Sequence, residues 1–395
     1  MTVRPVVDDA ERRRRLIRRH HLDTRERAVA LTDVVDDLVG LHATTPSTVY
    51  LSAWARVPGF RPEAMDIALY EDRTLVKQLA MRRTLFVFGH TVLAEAIGAV
   101  GPRVTASERT NMLRDLRRSP DFDDPEGWID AARAAVAEDL ADGAARTSTE
   151  LRRRNPALDG HVIYAADKSW GGRISMGPRV LNMMSAAGEI VRGPNSATWT
   201  LSRPSWALME LWLGHPLPAV SMADGHRAVI RRWLRAFGPG TEADIVWWLG
   251  STKRAVRAAL EDLDAIEVDL DGGSVGYLLP DDLPTGDDAA LPPHAHLLPE
   301  LDPTTMGWKE RGFYLGSHAE RVFDRNGNGG QTAWWDGRIV GGWRQHKDDG
   351  HIEVHTFETM PAVATRALAD RAEELGAWLG EARPTPGYPA PFMRG

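Results

Sequence analysis

The sequence predicts an α+β protein of three tandem winged-helix (helix-turn-helix) subdomains followed by a C-terminal β-rich, barrel-like domain. Helices followed by two short strands occur three times within residues 1–282, which is the order of a winged helix. Each copy carries its own capping or turn residues. Beyond a segment rich in proline, glycine and acidic residues, strand patterns replace helical ones. A length of 395 residues suits several cores better than one.

The first copy spans residues 1–100. Residues 8–21 form a basic helix, and the apolar spacing of LTDVVDDLVGLHA predicts a second helix with His42 on its apolar face. Thr45 as N-cap and Pro46 in the first turn open a third helix. LVKQLA and LFVF are two strands around the MRRT turn. The subdomain is therefore predicted to be complete within its own segment.

The second copy spans residues 101–220. DPEGWIDAARAAVAEDLADG is a helix, and TSTELRRR opens another with a capping box from Thr147 to Glu150. MGPRVLNMMSAAG is a third helix that stops at Gly188. EIVRGPNSATWTLS predicts a hairpin that turns at residues 193–195. This copy repeats the order of the first without repeating its sequence.

The third copy spans residues 221–282, and the C-terminal domain spans 283–395. DGHRAVIRRWLRAFG, TEADIVWWLG and STKRAVRAALEDL are helices, and IEVDLDGGSVGYLL is a hairpin with a DGG turn. LPDDLPTGDDAALPP is interpreted as a linker. HAHLLPEL, QTAWW, RIVGGWRQ and IEVHTFE then predict strands, and ATRALADRAEELGAWLG a final helix.

Composition excludes several classes of site. The chain has no cysteine, which rules out disulfides, thiolate metal sites and a cysteine nucleophile. It has no apolar run of about 18 residues and no secretory signal, so we expect a cytoplasmic, nucleoid-associated protein without membrane contact.

The net charge is −7, yet arginines cluster in RRRRLIRR, LRDLRR, ELRRR and HRAVIRRWLR. Such clusters can form a basic face for a phosphate backbone, or each can be a solvated helix side.

Common cofactor and metal patterns are absent. No G-x-S-x-G, Walker A or G-x-G-x-x-G segment stands between a strand and a helix. His294 with His296, and His351 with His355, can each share a strand face. Neither pair has a clear third ligand. We therefore expect no cofactor and no metal, and exposed strand histidines.

Polar groups on the predicted third helices favour contact with DNA phosphates more than base readout. One of Trp334 and Trp335 must leave the core, because neighbours on a strand face opposite ways. It can stack on a base or cover a domain interface. The residues predicted to contact DNA are Arg56, Arg83, Arg179, Asn182, Lys253, Arg254, Arg257, Arg325, Asn326 and Trp335.

Several segments resemble, in order, motifs of the AlkZ/YcaQ family of bacterial DNA glycosylases. LVGLHATTPSTVYLSAWAR resembles its L-Q-A-Q-x-P segment, and MRRTLF its M-R-G-T-L-H. SAAGEIVRGP resembles its second wing, and RAFGPGTEADIVWWLG its G-P-A-T-x-x-D-x-x-x-W-x-G. LLPELDPTTMGW and GRIVGGWR resemble L-L-P-x-F-D-P-x-x-x-G and G-x-V-x-G-x-W. Together these segments span nearly the whole chain.

The resemblance implies tandem winged helices around a channel for duplex DNA and removal of alkylated purines, in particular N7-alkylguanine. In the family, the catalytic pair are the polar residues of a Q-Φ-Q or Q-Φ-D motif, where Φ is apolar. By position the pair here is His42 and Thr44, with Ala43 between them. The sequence departs from the family at both positions. Phe86 also replaces a frequent histidine, and Arg83 a glycine.

The leading hypothesis is a monomeric, monofunctional DNA glycosylase that acts on damaged double-stranded DNA, for repair or for self-resistance to a toxin. A neutral His42 can hold the attacking water and accept its proton, and Thr44 can bind the same water. No lysine stands near the motif to form a Schiff base. The alternative is a non-catalytic DNA-binding damage sensor or regulator, with His42 ending a helix and Thr44 and Thr45 competing to cap the next. A small-molecule hydrolase is a third, weaker hypothesis.

Overall fold

The computed structural model describes residues 4–23, 29–164, 172–284 and 291–394. The first unit has the predicted helices and wing. Its strands β3 and β4 pair antiparallel around a turn at Met81–Arg83, which confirms the predicted hairpin. The elements are β1 Val6–Val7, α1 Asp9–Arg19, α2 Leu31–Asp37, β2 Leu41–His42, α3 Pro46–Trp54, α4 Pro62–Asp66, β3 Leu75–Leu79 and β4 Leu85–Gly89.

The second unit contains several elements that were not predicted from the sequence. A 27-residue helix, α5, precedes the predicted helices, and the β6–β7 hairpin lies between α7 and α8. The predicted turn at residues 193–195 is wrong, since β8 continues through it with a register irregularity. The elements are α5 His90–Leu116, α6 Pro125–Asp139, β5 Arg146–Thr147, α7 Ser148–Arg154, β6 His161–Tyr164, β7 Gly172–Ser175, α8 Gly177–Ala186, β8 Ile190–Asn195, β9 Pro204–Leu208 and α9 Met209–Leu213.

The third unit follows the predicted order. Thr241 caps α11 through a capping box with Asp244, and Gly250 ends it in the left-handed conformation. The β10–β11 hairpin turns at Asp271–Gly273 as predicted, and β1 adds to it in parallel. The elements are α10 Met222–Phe237, α11 Glu242–Leu249, α12 Lys253–Asp262, β10 Ile266–Leu270 and β11 Val275–Leu278.

The C-terminal unit is an open sheet, and the predicted barrel-like closure is wrong. Its four antiparallel strands have the order β12-β13-β14-β15, so β12 and β15 remain edges. Helix α16 packs against the sheet through apolar residues, which removes the need for closure. The elements are β12 Ala295–Leu298, α13 Pro303–Met306, α14 Gly312–Leu315, α15 Ala319–Val322, β13 Thr332–Trp335, β14 Arg338–Gln345, β15 Ile352–Thr356 and α16 Ala362–Leu379. The predicted linker falls partly on residues 285–290, outside the described residues.

The wings of the first two units form one sheet. Its strand order is β2-β4-β3-β8-β9-β5, with β3 and β8 joined at Lys77 and Arg192. The largest apolar core runs beneath it from α1 and α5 to α10 and the segment around α14. Within the described ranges, no helix is long and apolar enough to cross a membrane. The winged helices therefore pack as one body. This packing holds strand β2, which carries His42, in place within the shared sheet.

Candidate active site

His42 lies on a strand, and the prediction that it ends a helix is wrong. Helix α2 ends at Asp37, and Val39 and Gly40 follow with φ of 57° and 115°. A Cβ on Gly40 would stand 2.9 Å from the Phe88 ring, so this bend requires glycine. The chain then enters β2, where His42 pairs with Phe86 of β4 at 4.2 Å between ring centroids. The bend therefore places His42 within the sheet of the joined wings.

Among the described residues, one charged side chain contacts the His42 ring. Arg82 Nη2 donates a hydrogen bond to His42 Nε2 over 3.1 Å. The Arg82 guanidinium also lies over the indole of Trp247 in α11, 4.3 Å from the ring centroid. Arg311, from the C-terminal unit, is 4.8 Å from the same centroid. Three units of the chain therefore meet at this site.

Burial controls the charge of the two groups in contact. Burial, and then the charge of Arg82, hold the pKa of His42 well below its ordinary value. Burial, and then the charge of Arg311, lower the pKa of Arg82 to about 10. His42 is therefore neutral at pH 7, with Nε2 already engaged by Arg82. The expectation that His42 accepts a proton near the working pH does not hold for this geometry.

Three buried polar atoms of the motif residues and of Arg82 have no hydrogen-bond partner in the part of the chain that the structure describes. They are His42 Nδ1, Thr44 Oγ1 and Arg82 Nε. A buried polar group left unpaired costs about 1–3 kcal/mol, so folded proteins rarely keep several together without a functional reason. Each of these atoms can still form a hydrogen bond, for example with a water molecule.

Helix capping does not account for the threonines. Thr45 is the N-cap residue of α3, but no side chain caps this helix by a hydrogen bond. The Thr45 hydroxyl instead hydrogen-bonds to Glu300, whose carboxylate also accepts from the Gly387 and Tyr388 amides. Thr45 therefore joins α3 to the C-terminal unit, and the Thr44 hydroxyl remains available.

Arg56 cannot contact DNA, and its predicted role is wrong. It is 2 % exposed and forms a two-pronged ion pair with Asp302, at 2.7 and 2.9 Å. Its guanidinium also donates to the carbonyls of His20 and Ser52 and to the Thr304 hydroxyl. It therefore holds α1 and α3 against the C-terminal unit.

The other residues predicted to contact DNA lie at or near the surface. Lys253 and Arg254 are exposed in the first turn of α12. Arg83, Arg179 and Arg257 are ion-paired with Glu108, Asp115 and Glu242 at 2.9, 2.7 and 2.5 Å, so DNA would have to compete with these carboxylates. Asn182 is half-buried in α8, whereas Arg325 and Asn326 are exposed in the loop before β13.

Both tryptophans of β13 contact apolar side chains. Trp334 is 1 % exposed and stacks on Tyr314 at 5.1 Å. Trp335 faces the other way and is half-buried against the cluster that includes α16. The open sheet is covered on both faces, so this geometry favours packing over base stacking for Trp335.

One of the two histidine pairs differs from expectation, whereas His351 and His355 are both exposed as predicted. His296 is 2 % exposed, opposite Trp334 in the sheet, so it is not an exposed strand histidine. Across the ranges that the structure describes, no three His, Asp or Glu side chains are grouped as a metal site requires.

Three residues of the site were not predicted from the sequence, namely Arg82, Trp247 and Arg311. Arg82 occupies the arginine position of the M-R-G-T-L-H resemblance, so a signal for it was present. Trp247 lies in the apolar pattern of a helix, which does not indicate that it is half-buried beneath two guanidinium groups. Arg311 had no local signal, since its place depends on how the C-terminal unit packs.

A family model and a solved structure are similar to this chain. A family model described as DNA glycosylase AlkZ-like matches residues 35–378. The chain belongs to the AlkZ-like DNA glycosylase family. The match runs from before the His42 strand into α16, which confirms the family predicted from the ordered segments.

The fold agrees with a solved member of the AlkZ-like family. DNA glycosylase AlkZ of Streptomyces sahachiroi superposes with a TM-score of 0.75 over 94% of this chain and 97% of that one. The two sequences are 21% identical, so the likeness establishes the fold and not the substrate. No curated protein sequence matches this chain. The predicted α+β fold class is confirmed.

Proposed function

We propose that this AlkZ-like protein is a monofunctional DNA glycosylase that hydrolyses the N-glycosidic bond of N7-alkylguanine in duplex DNA. Membership of a DNA glycosylase family supports the reaction class. The observation that carries the site is the group of unpaired buried polar atoms on His42, Thr44 and Arg82. His42 and Thr44 stand at the two positions that correspond to the polar pair of the Q-Φ-Q or Q-Φ-D motif.

The chemistry needs little acid or base catalysis. Alkylation at N7 makes guanine cationic, so the base leaves with the electron pair of the C1′–N9 bond as neutral N7-alkylguanine. The sugar becomes an oxocarbenium-like cation, and the oxygen of a water attacks C1′. The attacking water releases one proton to solvent, which balances the original charge. The protein must orient this water and shield the sugar cation. It need not protonate the guanine, because alkylation at N7 already makes it cationic.

His42 and Thr44 are suited to orient the water by hydrogen bonds. A neutral imidazole and a hydroxyl can each form hydrogen bonds to water, as two glutamine side chains can. Burial keeps His42 neutral, so no cation on this ring opposes the positive sugar. His42 and Thr44 therefore take the place of the two glutamine amides without acting as a stronger base.

The sheet geometry favours hydrolysis over a Schiff-base reaction. Gln78, Phe86 and His42 lie side by side across β3, β4 and β2. Lys77 immediately precedes Gln78, so its side chain leaves the opposite face of the sheet. Burial lowers the pKa of Lys77 to about 8, but the amine is directed away from the face that carries His42. We therefore propose base removal without strand cleavage.

The DNA contacts proposed for this reaction are the surface cations. Lys253 and Arg254 begin α12, the third helix of the third winged helix, where such modules meet the duplex. Arg83 extends from the first wing with its side chain 57% exposed. We propose phosphate contacts from these residues, and a monomer acting on damaged duplex, since one chain supplies three winged helices.

Product analysis tests the proposal. The full-length protein is incubated with a duplex that contains one N7-methylguanine, and with a second duplex that carries a bulky N7 adduct. We expect free alkylguanine by mass spectrometry, an alkali-labile site, an intact strand before alkali, and no covalent complex with borohydride. Preference for the bulky adduct would favour self-resistance, and preference for the methyl adduct general repair. Tight binding with no base release from either duplex would contradict the proposal and favour a non-catalytic DNA-binding protein.

A further inference from the structure

Two neighbouring arginines in the first wing have opposite environments. Arg82 and Arg83 both have left-handed backbone conformations, with φ of 52° and 57°. This conformation is uncommon for residues other than glycine. Arg83 turns to solvent and pairs with Glu108, whereas Arg82 turns inward to His42. The turn therefore directs one of its two guanidinium groups into the motif.

The third winged helix holds Arg82 in this position. Trp247 of α11 lies under its guanidinium. Gly250, which ends α11 with φ of 64°, approaches so closely that a Cβ there would stand 3.2 Å from Arg82 Cγ. Arg103 of α5 donates to the Gly250 carbonyl. Two other elements therefore fix the only described charged group that touches the His42 ring.

The contact determines which ring nitrogen carries the proton. A guanidinium has donors only, so His42 Nε2 must accept through an unprotonated lone pair. The proton of neutral His42 then resides on Nδ1, the nitrogen without a partner in the described chain. Phe86 packs against the same ring and carries no charge. His42 therefore presents Nδ1–H, and no basic nitrogen, as its unpaired ring group, two residues before Thr44 in the chain.

We propose that Arg82 is a positioning residue that fixes His42 in the Nδ1–H tautomer, so that His42 serves as a hydrogen-bond donor and not as a general base. This inference rests on the proposed function and specifies how the pair works. His42 Nδ1–H donates to the water oxygen, and the water donates one O–H to Thr44 Oγ1. The remaining lone pair of the water is then free to attack C1′.

The tautomer can be measured without any activity. Histidine-labelled full-length protein is studied by two-bond ¹H–¹⁵N correlation NMR at pH 7, with the His42 signal assigned by its loss in His42→Gln. We expect the Nδ1–H pattern in the wild type and in Arg83→Met. In Arg82→Met we expect the Nε2–H pattern, because no cation then engages Nε2, together with at least a tenfold slower base release. Arg82→Lys, which keeps a donor, should retain the wild-type pattern.

Wild-type His42 in the Nε2–H or doubly protonated form would overturn the inference, and this result needs no variant to fold. Retention of Nδ1–H in folded Arg82→Met would overturn it as well. Arg83→Met is the matched control, since it alters the same turn and backbone conformation but not the contact with His42. Failure of base release with the Nδ1–H pattern present would contradict the proposed function alone, so the two failures are distinguishable.

Discussion

Replacing Arg56 with methionine is expected to lower the free energy of unfolding by about 3–5 kcal/mol, because the Asp302 carboxylate would remain buried without its ion-pair partner. The pair is fully buried, with both side chains at 0% exposure. Asp302 also accepts from the Ser52 hydroxyl and caps the segment that begins α13. Denaturant unfolding monitored by tryptophan fluorescence measures the change.

The compensating variant and a DNA-binding control make this prediction specific. Arg56→Met combined with Asp302→Asn removes the unpaired charge, so we expect it to recover a large part of the lost stability. Arg56→Met should leave the salt dependence of duplex binding unchanged, whereas Lys253→Gln should reduce its slope by about one. A small loss of stability in Arg56→Met would contradict the structural role of the ion pair. A reduced slope of the salt dependence would restore Arg56 as a DNA contact.

His42→Phe is expected to slow base release about 10²–10³-fold under single-turnover conditions, the usual cost of removing one preorganised hydrogen-bond donor. Phenylalanine keeps an aromatic ring against Phe86 but removes both nitrogens. His42→Gln restores an amide that can donate and accept, so we expect a rate within about tenfold of the wild type. Duplex binding, measured by fluorescence anisotropy, should be unchanged in both variants.

Equal rates for His42→Phe and the wild type would show that the ring is structural. Exposed His215 offers a matched control, and His215→Ala should release base at the wild-type rate. Loss of activity with loss of duplex binding would be a folding effect and would not support the assignment. The comparison therefore separates a role in the reaction from a role in the sheet.

Local sequence patterns predicted much of the secondary structure because their signals lie within a few residues. The Thr147–Glu150 capping box and the turn at Asp271–Gly273 stand where expected. Helix α5 was missed because Pro102 and two glycines interrupt a helical pattern. Those glycines permit close packing, since a Cβ on Gly98 or Gly101 would stand within 3 Å of Val220 or the Ala186 carbonyl.

The site was only partly predictable, because its decisive contacts join distant segments. His42 was assigned to a helix because its spacing from Val34, Val35 and Leu38 is helical, but the Val39–Gly40 bend and pairing with β4 prevail. Arg56 was assigned to DNA because nothing near it in sequence indicates Asp302, 246 residues away. The positions of His42 and Thr44 came from the family resemblance, and their hydrogen-bonding environment from the fold.

The central claim is that His42 and Thr44 act together on one water. A double-mutant cycle on the single-turnover rate of N7-methylguanine release, with His42→Phe and Thr44→Val, tests it most directly. Groups that serve one function give non-additive losses. We expect the double variant to be no slower than the slower single variant. Losses that multiply in the double variant would contradict it.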